Sequence, residues 1–188
     1  YIDIYYGKKP LSILEVQKEG VLVFYSLSKR NNMTGYRVGW VAGDKRIVSL
    51  FKKLKTNIDS GTPDFIQAAA IAALNNEKHA QSMRVEYKEK RAIMLEALRE
   101  AGLPPCTSEA TFYLWQKVPT GMDSIAFAKK LLSPELALVT TPGSWISDTT
   151  DEGINPGERF VRFALVPPLA EVKEAAERIK KYLRFPYF

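Results

Sequence analysis

The sequence has few of the residues that bind metals or form disulfides. Its 188 residues include one cysteine, Cys106, and one histidine, His79, so an internal disulfide is excluded and a His/Cys metal centre has little basis. A lone cysteine is typical of a reducing compartment, and we predict a cytoplasmic protein without a metal. Cys106 follows two prolines and has no charged neighbour that would activate it, which argues against a catalytic thiol.

Long apolar runs are also missing, and no signal-peptide pattern opens the chain. The sequence therefore predicts no membrane partner and an ordinary globular composition, with 46% apolar and 26% charged residues. The net charge of +6 does not indicate nucleic-acid binding, because the basic residues alternate with glutamates, as in 84–91, in the manner of a solvated helix face. Since the chain opens at Tyr1 inside apparent structure, we expect it to be a fragment.

The apolar pattern predicts an α/β fold. Strands are expected at 21–28 and 36–42, joined by a loop that carries Lys29 and Gly35, and Asp44 is expected to cap the next helix. Further on, the pattern predicts helices at 45–54, from Thr62 and Pro63 to about Leu74, at 77–101, 123–132 and 169–183, and strands at 111–118, 136–141 and 159–166. The longest helix is followed by Gly102, Pro104 and Pro105, residues that end helices and mark a boundary. We therefore predict two domains, 1–101 and 102–188.

The residues around Lys29 form the most informative motif. Lys29 directly follows an apolar strand, with Ser26 and Ser28 before it and Arg37 after it. A lysine amine attacks a carbonyl only when it is neutral, which an apolar environment or a nearby positive charge favours. Hydroxyls, loop amides and a guanidinium are the donors that a phosphate needs. The motif thus suits a phosphate-bearing cofactor that forms an imine with Lys29.

Two other interpretations of the motif remain open. The run 29–32 also suits a polar turn between two strands. In addition, Ser26 to Lys29 spells S-x-x-K, the serine-nucleophile signature of penicillin-binding enzymes. Such enzymes also need a K-T-G element, and here Lys55-Thr56-Asn57 lacks the glycine.

The same run resembles the lysine segment of class I/II aminotransferases, the pyridoxal-phosphate enzymes of fold type I. That family has S-x-S-K and then G-x-R-x-G, and all of these positions are present between Ser26 and Gly39. The resemblance implies that Lys29 is the Schiff-base lysine and that Ser26, Ser28 and Arg37 bind the cofactor phosphate. Tyr1, with the Ile-Tyr that follows, is similar to the family segment whose tyrosine hydrogen-bonds the cofactor's phenolic oxygen.

Other stretches extend the resemblance over nearly the whole chain. The strand 157–166 is similar to the family strand whose arginine binds the substrate α-carboxylate, which implies that role for Arg162. The alternative is an edge-strand arginine that points to solvent. The stretches 109–115 and 141–145 match further family motifs, although the family has a glycine where Ala110 or Thr111 stands.

The resemblance implies the second half of such an enzyme: the C-terminal part of a large domain with a mostly parallel sheet, then a small C-terminal α/β domain. It also implies transamination between an amino acid and a 2-oxo acid, pyridoxal 5'-phosphate as cofactor, and a homodimer. The run 55–61 resembles the branch that acts on LL-diaminopimelate or N-succinyldiaminopimelate in lysine biosynthesis. A carbon–sulfur lyase of the same fold and a non-catalytic cofactor-binding domain are the alternatives.

Overall fold

The structure, a computed structural model, describes residues 1–186, which form both helices and strands. It has two compact units, Tyr1–Arg84 and a second that begins at Val85, and the division falls within one long helix. The domains expected from sequence were 1–101 and 102–188. The last two residues of the second range, Tyr187 and Phe188, lie outside the described residues, and that assignment stays a prediction.

The first unit contains a two-stranded antiparallel ribbon. Strand β1 (Leu22–Ser26) pairs with β2 (Gly39–Gly43). Between them the chain forms one helical turn, α1 (Leu27–Arg30), and a 3₁₀ turn at Thr34–Tyr36. Sequence had predicted a strand through residue 28 and a loop around Lys29, and this is corrected. The Ser26 hydroxyl accepts a hydrogen bond from the Ser28 amide at 3.1 Å, and such an N-cap starts a helix where the strand pattern would continue.

Parallel strand pairing, expected for the large-domain sheet, does not occur among residues 1–186. The first unit has the antiparallel ribbon, and the second has a three-stranded antiparallel sheet. Parallel neighbours need a crossover connection, usually a helix. The segment 27–38 instead makes two tight turns, which return the chain alongside β1 in the opposite direction.

Three helices follow the ribbon: α2 (Lys45–Ile58), α3 (Asp64–Leu74) and α4 (Glu77–Glu100). The predicted cap of α2 is confirmed, because the Asp44 carboxylate accepts a hydrogen bond from the Arg46 amide at 2.8 Å. The helix continues to Ile58 and is therefore longer than the predicted 45–54. Much of its apolar side chain surface is exposed, at Leu50, Leu54 and Ile58.

In the second unit the strand order is β3-β5-β4, with β3 (Tyr113–Lys117), β4 (Thr141–Pro142) and β5 (Phe160–Ala164). Helices α5 (Ser124–Leu131) and α6 (Leu169–Tyr182) complete it, both within two residues of their predicted ends. The predicted strand 136–141 is wrong except at its last residue. Ala137 has a positive φ of 48° and its amide bonds back to Ser133, so the chain there turns and cannot extend.

The core of this second unit consists of aliphatic and aromatic side chains from both strands and helices. Leu114 on β3, Val161 on β5, Phe127 on α5 and Ile179 on α6 are fully buried. Burying such a side chain stabilises the fold by roughly 1.5–3 kcal/mol. Along β5, Val161 and Phe163 are buried and the residues beside them are more accessible, so alternate residues of this strand face the core. Within residues 1–186 no helix is long and apolar enough to cross a membrane.

Candidate active site

The helical turn α1 presents the predicted lysine. Ser26 caps it, and the Ser26 hydroxyl lies 2.9 Å from the Ser28 hydroxyl and 3.3 Å from the Val38 carbonyl. Lys29 is in the last turn of this helix and lines the same cavity as Ser26 and Ser28. The S-x-S-K spacing therefore acts as a cap followed by one turn of helix, which groups two hydroxyls and one amine.

Arg30 fixes this turn to the rest of the first unit. Its guanidinium is largely buried, binds the Glu77 carboxylate at 2.6 Å and donates to the Ala73 carbonyl at 3.2 Å. Glu77 also binds Arg84 at 2.7 Å, and the hydrogen bond from Arg84 together with the charge of Arg30 lowers the pKa of Glu77. The lysine turn is thus attached to the start of α4.

A cavity of about 600 Å³ opens beside the turn. Four of the predicted residues line it: Tyr1, Ser26, Ser28 and Lys29. The Lys29 ammonium lies 5.9 Å from the centre of the Tyr1 ring, within the range of a cation–π interaction. The volume is that of a small-molecule pocket. The structure therefore brings together an amine, two hydroxyls and a phenol around one space.

Arg37, the fifth predicted cofactor residue, is not among the residues that line the cavity. It is exposed and has a left-handed backbone, with φ 51°. Its guanidinium donates to the Thr34 carbonyl at 2.9 Å, within its own turn. A phosphate role for Arg37 would therefore require its side chain to leave this bond.

Sequence reasoning missed several residues of the cavity. The Tyr25 hydroxyl lies 3.3 Å from the Ser12 hydroxyl, and the Tyr25 ring stacks on Trp40 with centroids 5.4 Å apart. Tyr25 and Trp40 are direct cross-strand partners in the ribbon. Tyr25 could have been expected near the site, because it is an aromatic residue on the strand that ends at the lysine turn. Nothing in the sequence pattern connects Ser12 with that strand.

The predicted carboxylate-binding arginine lies in the second unit, on β5. This strand is the middle one of its sheet, so the alternative of an edge-strand arginine is wrong. The Arg162 guanidinium lies 4.5 Å from the centre of the Tyr113 ring and donates to the Thr141 hydroxyl at 3.3 Å. Its Nε is buried without a hydrogen-bond partner in the part of the chain that the structure describes. A buried donor of this kind is costly unless it binds an acceptor.

The motif before β3 departs from the family pattern at one position. Thr111 has a positive φ of 64°, the conformation for which glycine is the usual residue. The strain is offset by its side chain, because the Thr111 hydroxyl accepts a hydrogen bond from the Tyr113 amide at 3.1 Å. Ala110 does not have a positive φ.

Two glycines bring the motifs at 141–145 and 157–166 into backbone contact. A Cβ on Gly143 would lie 2.6 Å from the Phe160 carbonyl oxygen and would also overlap the Gly157 carbonyl. A Cβ on Gly157 would in turn overlap the backbone of Gly143. Only two glycines allow this approach, which aligns Thr141 with Arg162.

Cys106 belongs to the second unit and is not among the residues that line the cavity. Burial raises the pKa of the Cys106 thiol, and its sulfur donates to the Trp115 carbonyl. Among residues 1–186 no three His, Cys, Asp or Glu side chains form a group that could hold a metal.

The sequence and the fold are both similar to those of known proteins. The sequence model for "aminotransferase class I and II" matches residues 1–179. LL-diaminopimelate aminotransferase of Aquifex aeolicus strain VF5 is 43% identical over 184 residues, which cover 96% of this chain and 46% of that protein. A similar enzyme of the same name from Nitratidesulfovibrio vulgaris strain Hildenborough is 38% identical over 186 residues.

Solved structures show the same likeness. An aminotransferase from Neisseria meningitidis Z2491 superposes with a TM-score of 0.90 at 37% identity, covering 98% of this chain and 48% of that one. The probable N-succinyldiaminopimelate aminotransferase of Thermus thermophilus gives 0.81 at 32% identity, covering 96% and 47%. The chain thus spans about half the length of the relatives it matches. The predicted α/β fold, part of a fold type I transferase, is confirmed, and the chain belongs to the class I and II aminotransferases, a pyridoxal-phosphate-dependent family.

Proposed function

We propose that the protein containing this chain is a pyridoxal-phosphate-dependent aminotransferase that moves an amino group between an amino acid and a 2-oxo acid. The observation that carries the proposal is the cavity in which Lys29, Ser26 and Ser28 meet. Its family membership and the diaminopimelate aminotransferases among its relatives support it.

The residues of the cavity fit the cofactor. A phosphate needs hydrogen-bond donors, and the Ser26 and Ser28 hydroxyls lie 2.9 Å apart at the start of α1. An aldehyde needs an amine, which Lys29 supplies, and Tyr1 lines the same space with a phenol that can donate to a ring oxygen. When bound, the cofactor supplies an electron sink for the substrate α-carbon.

The chain's own residues would then perform four tasks. Lys29 would hold the cofactor through its amine and, once displaced by the incoming amino group, act at Nζ as the base that takes the proton from the substrate α-carbon. Ser26 and Ser28 would hold the phosphate, and Arg162 would bind the α-carboxylate bidentately and so orient the bond to be broken. Arg37 would join the phosphate site only after it releases the Thr34 carbonyl.

For the substrate we propose LL-diaminopimelate or N-succinyldiaminopimelate, which would place the protein in lysine biosynthesis. The names of the relatives in Aquifex aeolicus and Thermus thermophilus support this choice. Lys55 and Asp59, which lie in the run that resembles this branch, bind each other at 2.8 Å. Asn57 donates to the Lys53 carbonyl at 2.7 Å, so all three are engaged within α2 and its cap.

We further propose a cytoplasmic homodimer, an expectation that rests on the resemblance to the family. By the same reasoning, these residues need the rest of the polypeptide to transaminate, since the chain spans about half of its relatives. Activity from a purified chain of only these 188 residues would contradict that requirement.

The absorbance spectrum of the full-length protein with pyridoxal phosphate tests the proposal. Wild type and Lys18→Ala, which removes an exposed lysine outside the cavity, are expected to show the visible band of lysine-bound cofactor. Lys29→Ala is expected to lack it. Addition of LL-diaminopimelate should bleach the band and a 2-oxo acid should restore it.

A wild-type protein without the band, or a Lys29→Ala protein that keeps it, would refute the assignment of Lys29. Release of ammonia and a thiol from a sulfur-containing amino acid, with no amino-group transfer to the 2-oxo acid, would instead indicate a lyase of the same fold.

A further inference from the structure

Three strands of the second unit bring three side chains to one face of the sheet. Thr141 on β4 lies directly opposite Arg162 on β5. On the other side, Trp115 of β3 is opposite Arg162 and Tyr113 is opposite Ala164. Residues two apart share a face, so Tyr113 is a diagonal neighbour of Arg162. An aromatic side chain is long enough to reach across this diagonal.

The Tyr113 ring lies against the guanidinium. The distance from the guanidinium carbon to the ring centre is 4.5 Å, inside the roughly 6 Å limit of a cation–π interaction. The ring of Trp115 packs instead on Phe160, with centroids 5.5 Å apart and planes 13° apart. Tyr113 and the Thr141 hydroxyl therefore hold the group, while its buried Nε has no hydrogen-bond partner among residues 1–186.

Tyr113 is itself held in place. Its ring packs on Phe112 with centroids 4.6 Å apart, and Phe112 stacks on Tyr87 at 5.3 Å. The Lys90 ammonium lies 5.1 Å from the Tyr87 ring and binds Glu86 at 2.6 Å. Because Phe112, Tyr87 and Lys90 are all buried, this stack leaves the Tyr113 ring little freedom. The stack of side chains therefore runs from α4 to the Arg162 guanidinium.

We propose that Tyr113 is a positioning residue for substrate binding. By fixing the plane of the Arg162 guanidinium before the substrate arrives, it removes an ordering cost that a free arginine would incur on binding a carboxylate. The inference rests on the proposed function, in which Arg162 binds the α-carboxylate. It assigns Tyr113 no contact with the reacting atoms.

The test uses the full-length protein with its cofactor and LL-diaminopimelate as amino donor. Tyr113→Leu is expected to raise KM about 2- to 30-fold, the range of a cation–π interaction, with a much smaller change in kcat. Tyr113→Phe keeps a π face and should stay near wild type. Trp115→Leu, on the same face of the same strand, is the matched control and should leave KM unchanged.

A double-mutant cycle with Arg162→Gln separates positioning from general support of the strand. If Tyr113 acts through the guanidinium, Tyr113→Leu should have almost no further effect when Arg162 is absent. Should Tyr113→Leu fail to fold, Tyr113→Met fills a similar volume without a π face and is expected to raise KM in the same way.

The outcomes distinguish the two proposals. A folded Tyr113→Leu or Tyr113→Met protein with a normal cofactor band and unchanged KM overturns the positioning role and leaves the aminotransferase proposal intact. An equal loss in the Arg162→Gln background also overturns it. A wild-type protein that shows no cofactor band overturns the proposed function and this inference with it.

Discussion

Gly143 offers a direct test of how the second unit is built, through the change to alanine. The added methyl would lie 2.6 Å from the Phe160 carbonyl oxygen, well inside the 3.4 Å at which ordinary contact begins. It would also overlap the Gly157 carbonyl, and both obstacles are backbone atoms that cannot rotate away. Since Gly143 and Gly157 are buried, the methyl cannot move into solvent.

Overpacking of this kind costs about 1–3 kcal/mol. For a chain of this length each kcal/mol lowers the melting temperature by roughly 2–4 °C. Because Phe160 opens β5 and Thr141 pairs with Arg162, the strain is expected in the β4–β5 pairing. Gly7→Ala is the matched control, since a Cβ there meets nothing within 4 Å and its φ is not positive.

Urea unfolding followed by tryptophan fluorescence measures the loss of stability, and amide hydrogen exchange locates it. We expect faster exchange in β4 and β5 of Gly143→Ala and unchanged exchange in Gly7→Ala. If Gly143→Ala matches wild type in both measurements, the backbone at 143 and 157 has room for a side chain and the reasoning fails.

Three further predictions concern charge and burial. Hydrogen bonds from Arg46 and from the Gly20 amide hold the pKa of Asp44 below its ordinary range, so the Asp44 charge stabilises α2 above about pH 4. This stabilisation is lost as pH falls through the folded pKa of Asp44. The difference in the free energy of unfolding between wild type and Asp44→Asn should therefore shrink on acidification. Arg30→Met removes the bonds to Glu77 and Ala73 and should destabilise the first unit by about 1–2 kcal/mol in urea unfolding. The control, Arg99→Met, removes an exposed ion pair with Glu96 and should cost less than about 1 kcal/mol. Burial raises the pKa of Cys106, so a thiol reagent should modify it slowly in the native protein and rapidly in denaturant, and equal rates would contradict the burial.

The helices were largely predictable because local signals define them. The 3.6-residue pattern and the Gly-Pro-Pro punctuation placed α4 at 77–101, and the structure has Glu77–Glu100. Asp44 was recognised as a cap because an aspartate before an amphipathic run is a local feature. Such signals need no information about distant parts of the chain.

The strands were less predictable because pairing is a property of two segments. The run 136–141 has the composition of a strand, but a turn at Ala137 leaves only Thr141 and Pro142 to pair. Likewise the apolar run through Ser28 looked continuous, although Ser26 ends it by capping α1. Local composition could not show either the turn or the antiparallel return of the ribbon.

The sequence predicted the motif of the candidate site but not the residues that surround it. Spacing alone grouped Ser26, Ser28 and Lys29, which line one cavity. Ser12 and Tyr25 join them through the fold, and no sequence pattern relates the two. Tyr113 reaches Arg162 across a sheet diagonal, and a diagonal exists only once the register is known.

The position of Arg162 on the middle strand limits where the chain can gain or lose a residue. Side chains on a strand alternate between faces, so adding or removing one residue between Gly157 and Arg162 would turn the arginine from Tyr113 and Thr141 into the apolar core. The same change in the loop 146–156 would leave the register intact, since that loop is mostly exposed and lies before Gly157. Variation in length should therefore be tolerated on one side of Gly157 and excluded on the other.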